Sequence, residues 1–130
     1  MPDYYIPGGG IKKNETITEG IIRELKEEVG ITVSIDDLML FLIIESNLEY
    51  KQDTAFIFLV ENITKDQQIN SHNHDKKEIL EIKWFDLDNL PKDLSVTTNL
   101  VIKEYIKLRN NNLRTKSVKF KYVDRNNLNT

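Results

Sequence analysis

The sequence has no cysteine, which excludes disulfide bonds, thiolate metal sites and cysteine nucleophiles. It has no apolar run approaching the ~18–20 residues of a membrane-spanning helix, and its N-terminus lacks the apolar segment of a secretory signal. We therefore expect a cytoplasmic protein with no membrane partner. The net charge of −3 is small, and its negative sign gives no support for a nucleic-acid partner.

The composition is that of a globular protein. Hydrophobic residues make up 39% and charged residues 30% of the 130 residues, a balance that allows a core to form. The sequence shows no internal repeat and no change of composition that would mark a linker. Residues 1–130 are therefore predicted to form a single domain.

Apolar periodicity predicts two substantial helices among several strands. One helix is predicted between Thr16 and Val29, and the other from Thr98 to Arg109. The predicted strands are residues 31–35, 38–44, 54–60, 79–85 and 118–123. A polar stretch at residues 61–77 is predicted to be a surface loop. Together these elements predict an α/β fold layered around a mixed sheet.

The first helix carries signals at both ends. Thr16 and Glu19 have the spacing of a capping box, in which the hydroxyl and the carboxylate each accept from an otherwise unpaired backbone N–H. Gly30 follows the last helical residue, where a left-handed conformation favours glycine. Gly20 lies inside the helix and costs about 1 kcal/mol relative to alanine. Room for a ligand to approach the backbone would explain that glycine.

Three glutamates of this helix fall on one face. At 100° per residue, Glu24, Glu27 and Glu28 share an arc of about 100°, with Arg23 beside them. A solvated charged surface is the ordinary meaning of such a run, yet like charges four residues apart destabilise a helix. Mg²⁺ prefers carboxylate oxygens, waters and substrate phosphates as ligands. The acidic face, with the glycine run 8–10 just before it, therefore predicts a site for a divalent cation.

The spacing of these residues resembles the Nudix box, the pattern G-x5-E-x7-R-E-U-x-E-E-x-G-U, in which U is a bulky aliphatic residue. The matching positions are Gly9, Glu15, Arg23, Glu24, Leu25, Glu27, Glu28, Gly30 and Ile31, with no mismatch. The resemblance implies a Nudix α/β/α sandwich that hydrolyses a diphosphate bond in a nucleoside diphosphate-linked substrate. Mg²⁺ or Mn²⁺ would be the cofactor, and a MutT-like nucleoside triphosphate pyrophosphohydrolase is the default within the family.

The resemblance also implies a role for each matching position. The metal ligands would be Glu24, Glu27, Glu28 and a backbone carbonyl near Gly9 or Gly10. Glu24 and Glu28 would also serve catalysis, and Arg23 would orient a glutamate of the box. Structural support would come from Glu15, which ties the loop to the helix, and from Gly30.

The family varies in which glutamate acts as the general base. Outside the box, Glu78 is the first candidate and Glu81 the second. Both precede Trp84 in a segment that resembles the acidic entry to a strand in family members. An exposed charge at a strand edge explains either residue equally well.

Other candidate site residues have weaker support. His72 and His74 form a His-x-His pair that could bind a metal, but no third ligand is identifiable and a solvated loop explains them better. Tyr4 lies where family members often carry an aromatic residue before Pro-Gly-Gly. It is therefore a candidate for substrate binding by stacking on a base.

The chain departs from the family pattern ahead of the box. Only six residues precede Pro7, whereas family members usually have a full strand there, so we expect an N-terminally shortened sheet. The alternating segment 118–123 is a candidate to fill the gap. It would do so within its own chain or by exchange between two chains of a homodimer.

Two functions are consistent with these features. The first is a hydrolase acting on a small nucleotide substrate. The alternative is a non-catalytic Nudix-fold module that senses a nucleotide-like ligand. Such a module would be expected to lose box glutamates, and this sequence keeps all of them. These features do not select one substrate. The sequence does lack the downstream proline that ADP-ribose-cleaving relatives tend to carry.

Overall fold

The structure, a computed structural model, describes residues 4–48, 51–72, 81–110 and 119–124. The helices are α1 (Ile17–Glu28), α2 (Lys65–Asn70) and α3 (Val96–Asn110), and a 3-10 turn spans Ile35–Asp37. The strands are β1 (Leu38–Leu48), β2 (Lys51–Val60) and β3 (Lys119–Asp124). This mixture confirms the α/β class. Among the helices of these ranges, none combines the length and the apolar character that crossing a bilayer requires.

The three strands form a mixed sheet in the order β2-β1-β3. β3 pairs with β1 in parallel, with Leu42 opposite Lys119 and Asn47 opposite Asp124. Only residues 49 and 50 separate β1 from β2, and so short a connection requires an antiparallel pair. The pairing of β3 with β1 confirms that the C-terminal segment pairs with the sheet inside its own chain. Val118, the first residue of the predicted strand, lies outside the described residues. Association into a homodimer stays a prediction.

The chain divides into two compact units, and the first contains the sheet and α3. Of the described residues, it comprises 4–5, 40–48, 51–59, 93–110 and 119–124. Helix α3 begins at Val96 because the Ser95 hydroxyl accepts from the Thr98 N–H at 3.2 Å, two residues before the predicted start. The ring of Phe41 on β1 meets that of Tyr105 on α3 edge to face, with centroids 6.4 Å apart. The prediction of a single domain is not decided by this division.

The second unit is built around α1 and, of the described residues, comprises 6–39, 60–72 and 81–92. The Thr16 hydroxyl accepts from the Glu19 N–H at 3.1 Å, and the Glu19 carboxylate accepts from the Thr16 N–H at 2.9 Å. Gly30 ends the helix at a φ of 79°. Both predicted end signals are therefore confirmed. The apolar face of α1 packs in a core formed by Ile22, Leu25, Val29, Ile31, Val33, Leu38, Val60, Ile63 and Ile82.

The predictions of strands at 31–35 and 79–85 were wrong for the residues that the structure describes. Ile31 and Val33 are buried and their neighbours are exposed, but residues 31–34 form no strand. Residues 81–86 are likewise neither helix nor strand, while Ile82 packs against the core. Alternation correctly predicted the burial of Ile31 and Val33, but Ile35, Trp84 and Phe85 are exposed. It could not show whether a neighbouring strand is present to receive the backbone hydrogen bonds.

The prediction of a loop throughout residues 61–77 was also wrong, because α2 lies within it. Thr64 and Gln67 form a capping box at its start, with the same reciprocal bonds as in α1. No residue of α2 is buried. A helix with no buried face lacks the apolar periodicity that would have predicted it.

Candidate functional site

One guanidinium joins the glycine-rich loop to α1. Arg23 Nε donates to Glu15 Oε2 at 2.7 Å, and Arg23 Nη2 donates to Glu15 Oε1 at 3.1 Å. Nη2 also donates to the Gly10 carbonyl at 3.0 Å. The exposed fractions of the Arg23 and Glu15 side chains are 19% and 14%. A two-pronged ion pair withdrawn from most of the solvent is strong and directional, so it holds the loop in one place on the helix.

The same guanidinium gathers two of the three glutamates of the acidic face. Arg23 Nη1 donates to Glu24 Oε1 at 2.8 Å and to Glu27 Oε2 at 3.1 Å. The Glu24 side chain is 15% exposed and that of Glu27 is 50% exposed. Glu28 Oε2 accepts a long bond of 3.4 Å from the Gly8 N–H. All three carboxylates thus lie where the loop meets the helix.

Gly9 lies directly against the carboxylate of Glu24. A β-carbon added to Gly9 would be 2.6 Å from Glu24 Oε1 and 2.9 Å from Oε2, closer than real β-carbons approach other atoms. The same addition at Gly8 or Gly10 meets nothing within 4 Å. Of the three loop glycines, Gly9 is therefore the one at which a side chain would displace Glu24, and it is also the first glycine of the box.

Gly20 has a different role from the one that the sequence suggested. It is buried, and a β-carbon there would lie 3.2 Å from Glu15 Oε1 and 3.5 Å from Ile11 Cγ1. The chain's own loop, rather than a ligand, therefore occupies the space beside the backbone. The cost of a glycine inside a helix was the sequence signal for this close approach, but it could not identify what approaches.

Hydrogen bonds shift the pKa values of Glu15 and Arg23 in the directions that favour their charged forms. The bond from Arg23 first, and then the bond from the Lys12 N–H at 2.9 Å, lower the pKa of Glu15 from 4.5 to about 2. The bonds to Glu15 raise the pKa of Arg23 further above its already high value. At the N-cap, bonds with Thr16 lower the pKa of Glu19. The Glu15–Arg23 ion pair is therefore present at neutral pH.

We expect the contribution of Glu15 to stability to fall between about pH 4.5 and pH 2. A carboxyl whose pKa is lowered in the folded state stabilises that state above its unfolded pKa, and the effect disappears as pH falls through the folded pKa. Here those values are 4.5 and about 2. Urea unfolding should show that the free energy of unfolding of wild type exceeds that of Glu15→Gln by a constant amount from neutral pH to about pH 5. Below about pH 5 this difference should become smaller. A difference that stays constant down to about pH 3 would contradict the assignment.

The candidates outside the box are less clearly placed. Glu81 is exposed, and its Oε1 lies 3.5 Å from Lys83 Nζ. Glu78 and His74 lie outside the described residues. The His72 Nδ1 is 2.9 Å from the Asn70 carbonyl. Tyr4 pairs with Leu94 through its backbone, ahead of α3.

The donor set at the loop–helix junction suits a hard cation by its chemistry. Within the described ranges, no three His, Cys, Asp or Glu side chains are grouped closely enough to hold a metal ion. Glu24 and Glu27 instead share the guanidinium of Arg23 with Glu15. Each carboxylate has two oxygens and about four acceptor positions, so a bond to Arg23 still leaves it able to bind a cation.

Two contacts of the site could not have been found from the sequence. The Gly10 carbonyl accepts from Arg23 and the Lys12 N–H donates to Glu15. Every residue carries a backbone carbonyl and every residue other than proline a backbone N–H, so no residue type signals these contacts. They explain how a short loop keeps Glu15 in register with α1.

Comparison with known proteins adds two findings. The model of the NUDIX domain matches residues 2–105. An ADP-ribose pyrophosphatase of Methanocaldococcus jannaschii is 28% identical over 107 residues, which cover 82% of this chain and 59% of that protein. The chain therefore spans less than two thirds of the length of this relative.

Proposed function

The chain belongs to the Nudix family, and from that premise we propose that it hydrolyses a diphosphate linkage in a nucleotide derivative with the help of a divalent cation. The observation that carries the proposal is the guanidinium of Arg23, which binds Glu15, Glu24 and Glu27 at 2.7–3.1 Å. Three of the four glutamates of the box are thereby bonded to one side chain. A fold that only bound a nucleotide would have no need to keep these acids together.

We propose Glu24, Glu27 and Glu28 as the side-chain ligands of the cation. The carbonyl of Gly9 is the proposed backbone ligand, since that of Gly10 already accepts from Arg23. Mg²⁺ or Mn²⁺ suits a set made only of oxygen donors. When bound, such a cation neutralises charge on the diphosphate and lowers the pKa of water.

The chain's own residues supply positioning and proton transfer. Arg23 neutralises part of the charge of Glu24 and Glu27, which lets these carboxylates lie close together before substrate arrives. Glu28 or Glu24 is proposed as the general base that accepts a proton from the attacking water. Glu78 stays a candidate base outside the box, with Glu81 second.

The substrate has two candidates. A nucleoside triphosphate, as in MutT-like enzymes, is the default where the box does not specify the substrate. The similarity to an ADP-ribose pyrophosphatase favours ADP-ribose. In both, water attacks a phosphorus of the diphosphate and the linkage breaks, which gives AMP and ribose 5-phosphate from ADP-ribose, or a nucleoside monophosphate and pyrophosphate from a triphosphate.

A substrate panel tests the proposal. ADP-ribose, the common nucleoside triphosphates and dinucleoside polyphosphates are incubated with the protein and Mg²⁺ or Mn²⁺, and products are separated by chromatography. We expect turnover of at least one compound that depends on the cation and is lost in Glu28→Gln. Tight binding of a compound without turnover would instead support a sensing module, and equal turnover by Glu28→Gln would overturn the proposed site.

Replacing Gly9 by alanine is expected to lower turnover about tenfold while leaving the fold stable. The three atoms nearest the new β-carbon all belong to the end of the Glu24 side chain, the closest at 2.6 Å. That carboxylate must therefore leave its place at the site, while the core cluster around α1, which does not include Glu24, is not disturbed. Thermal unfolding and steady-state kinetics measure the two effects separately.

The matched comparison for Gly9→Ala is Gly10→Ala, because a β-carbon at Gly10 meets nothing within 4 Å. Its loss of turnover should be clearly smaller. Equal losses in the two variants would mean that loop flexibility, rather than contact with Glu24, explains the need for glycine.

A further inference from the structure

Gly20 is the buried residue of α1, and the loop lies directly on it. An added β-carbon would be 3.2 Å from Glu15 Oε1 and 3.5 Å from Ile11 Cγ1. Both of these residues belong to the segment between the glycine run and the N-cap of the helix. Because Gly20 has no side chain, this segment can lie close to the helix backbone.

Glu15 has little freedom to move away from such a β-carbon. Its Oε1 accepts from the Lys12 N–H at 2.9 Å and from Arg23 Nη2 at 3.1 Å, and its Oε2 accepts from Arg23 Nε at 2.7 Å. With a side chain only 14% exposed, it has little solvent to turn towards. A displaced Glu15 must either carry Arg23 with it or lose these bonds.

We propose that Gly20 is a positioning residue for the metal-binding carboxylates and acts on Glu24 through Glu15 and Arg23. Arg23 Nη1 holds Glu24 Oε1 at 2.8 Å, so the place of the guanidinium determines the place of that carboxylate. Nη2 of the same group holds the Gly10 carbonyl at 3.0 Å, so the loop and Glu24 move together. This inference rests on the proposed function, in which Glu24 binds the cation.

The variants Gly20→Ala and Gly20→Val separate positioning from helix stability. Alanine is a better helix former than glycine, so at an ordinary helix position it would raise Tm and leave metal binding unchanged. A positioning role instead predicts weaker binding of Mn²⁺ alone, measured by calorimetry. We expect Kd to rise about 10–100-fold in Gly20→Val. The rise in Kd should be smaller in Gly20→Ala, where Glu15 Oε1 must move by a few tenths of an ångström.

A double-mutant cycle with Glu15→Ala shows whether the effect passes through Glu15. If it does, Gly20→Val should weaken Mn²⁺ binding little further once Glu15 is absent. If the losses of Mn²⁺ binding free energy in Gly20→Val and Glu15→Ala are fully additive in the double variant, the proposal is overturned. Lys26→Ala, an exposed position on the same helix, is the control for a change of helix propensity and should bind Mn²⁺ as wild type does.

A second readout depends on neither metal nor hydrolysis. The Arg23 Nε–H proton, which is bonded to Glu15 at 2.7 Å, should exchange faster with water in Gly20→Val than in wild type when followed by NMR. If Gly20→Val does not fold, Gly20→Ala and Gly20→Ser decide by the same measurements. Unchanged Mn²⁺ affinity and unchanged Arg23 exchange in a folded variant overturn the proposal. A wild-type protein that binds no Mn²⁺ contradicts the proposed function, and the exchange readout then decides whether Gly20 positions Arg23.

Discussion

Glu28→Gln and Glu24→Gln are each expected to lower kcat by about 10²–10⁴-fold, the usual contribution of a positioned acid or base. Glutamine keeps the shape of glutamate but loses the charge that binds a cation and the ability to accept a proton from water. Both side chains lie at the junction of the loop and α1, and neither belongs to the core cluster of this unit. The fold should therefore survive the change, which circular dichroism and thermal unfolding would verify.

The control for these two variants is Glu61→Gln, which removes an exposed carboxylate after β2 and should leave kcat close to that of wild type. Near-normal turnover in both Glu28→Gln and Glu24→Gln would show that neither residue has the assigned role. Glu78→Gln, measured in the same series, separates a base outside the box from an ordinary surface charge. A loss comparable to that of Glu28→Gln would move the base assignment to Glu78.

Arg23→Lys is expected to lower cation affinity and kcat/KM together by about 10–100-fold, as is typical when a group that orients metal ligands is altered. Lysine keeps the positive charge but presents a single ammonium in place of a planar fork. It cannot bond Glu15 through two nitrogens and reach Glu24, Glu27 and the Gly10 carbonyl as well. Loop and helix should then lose their common anchor, and Tm should fall.

The matching change for Arg23→Lys is Lys26→Gln on the same helix. Lys26 is exposed, so its loss should leave cation affinity unchanged. Arg23→Lys could instead bind Mn²⁺ and turn over substrate as wild type does. In that case the positive charge alone explains the role of Arg23, and its bonds to several partners are not needed for function. A fall in Tm with unchanged cation affinity would assign Arg23 to folding only.

The helix that carries the site was readable from the sequence because its determinants are local. A capping box involves residues three apart, and a C-terminal glycine adopts its left-handed conformation next to the last turn. Thr16, Glu19 and Gly30 were therefore recognised with the correct helix ends. The common face of Glu24, Glu27 and Glu28 likewise follows from 100° per residue. The strands β1 and β2 were found because a continuous apolar run needs no partner to be recognised.

Contacts between distant parts of the chain were decided only by the tertiary structure. The parallel pairing of β3 with β1 joins residues that are over seventy positions apart, and a strand pattern does not say which neighbour it will have. In the site, Arg23 bonds Glu15, Glu24, Glu27 and a backbone carbonyl at once, whereas the sequence implied only that it orients a glutamate. Gly20 was noticed for its cost within the helix, but its neighbours Glu15 and Ile11 were not foreseen. Helical geometry repeats identically in every chain, while the path of a loop depends on all the atoms that it meets.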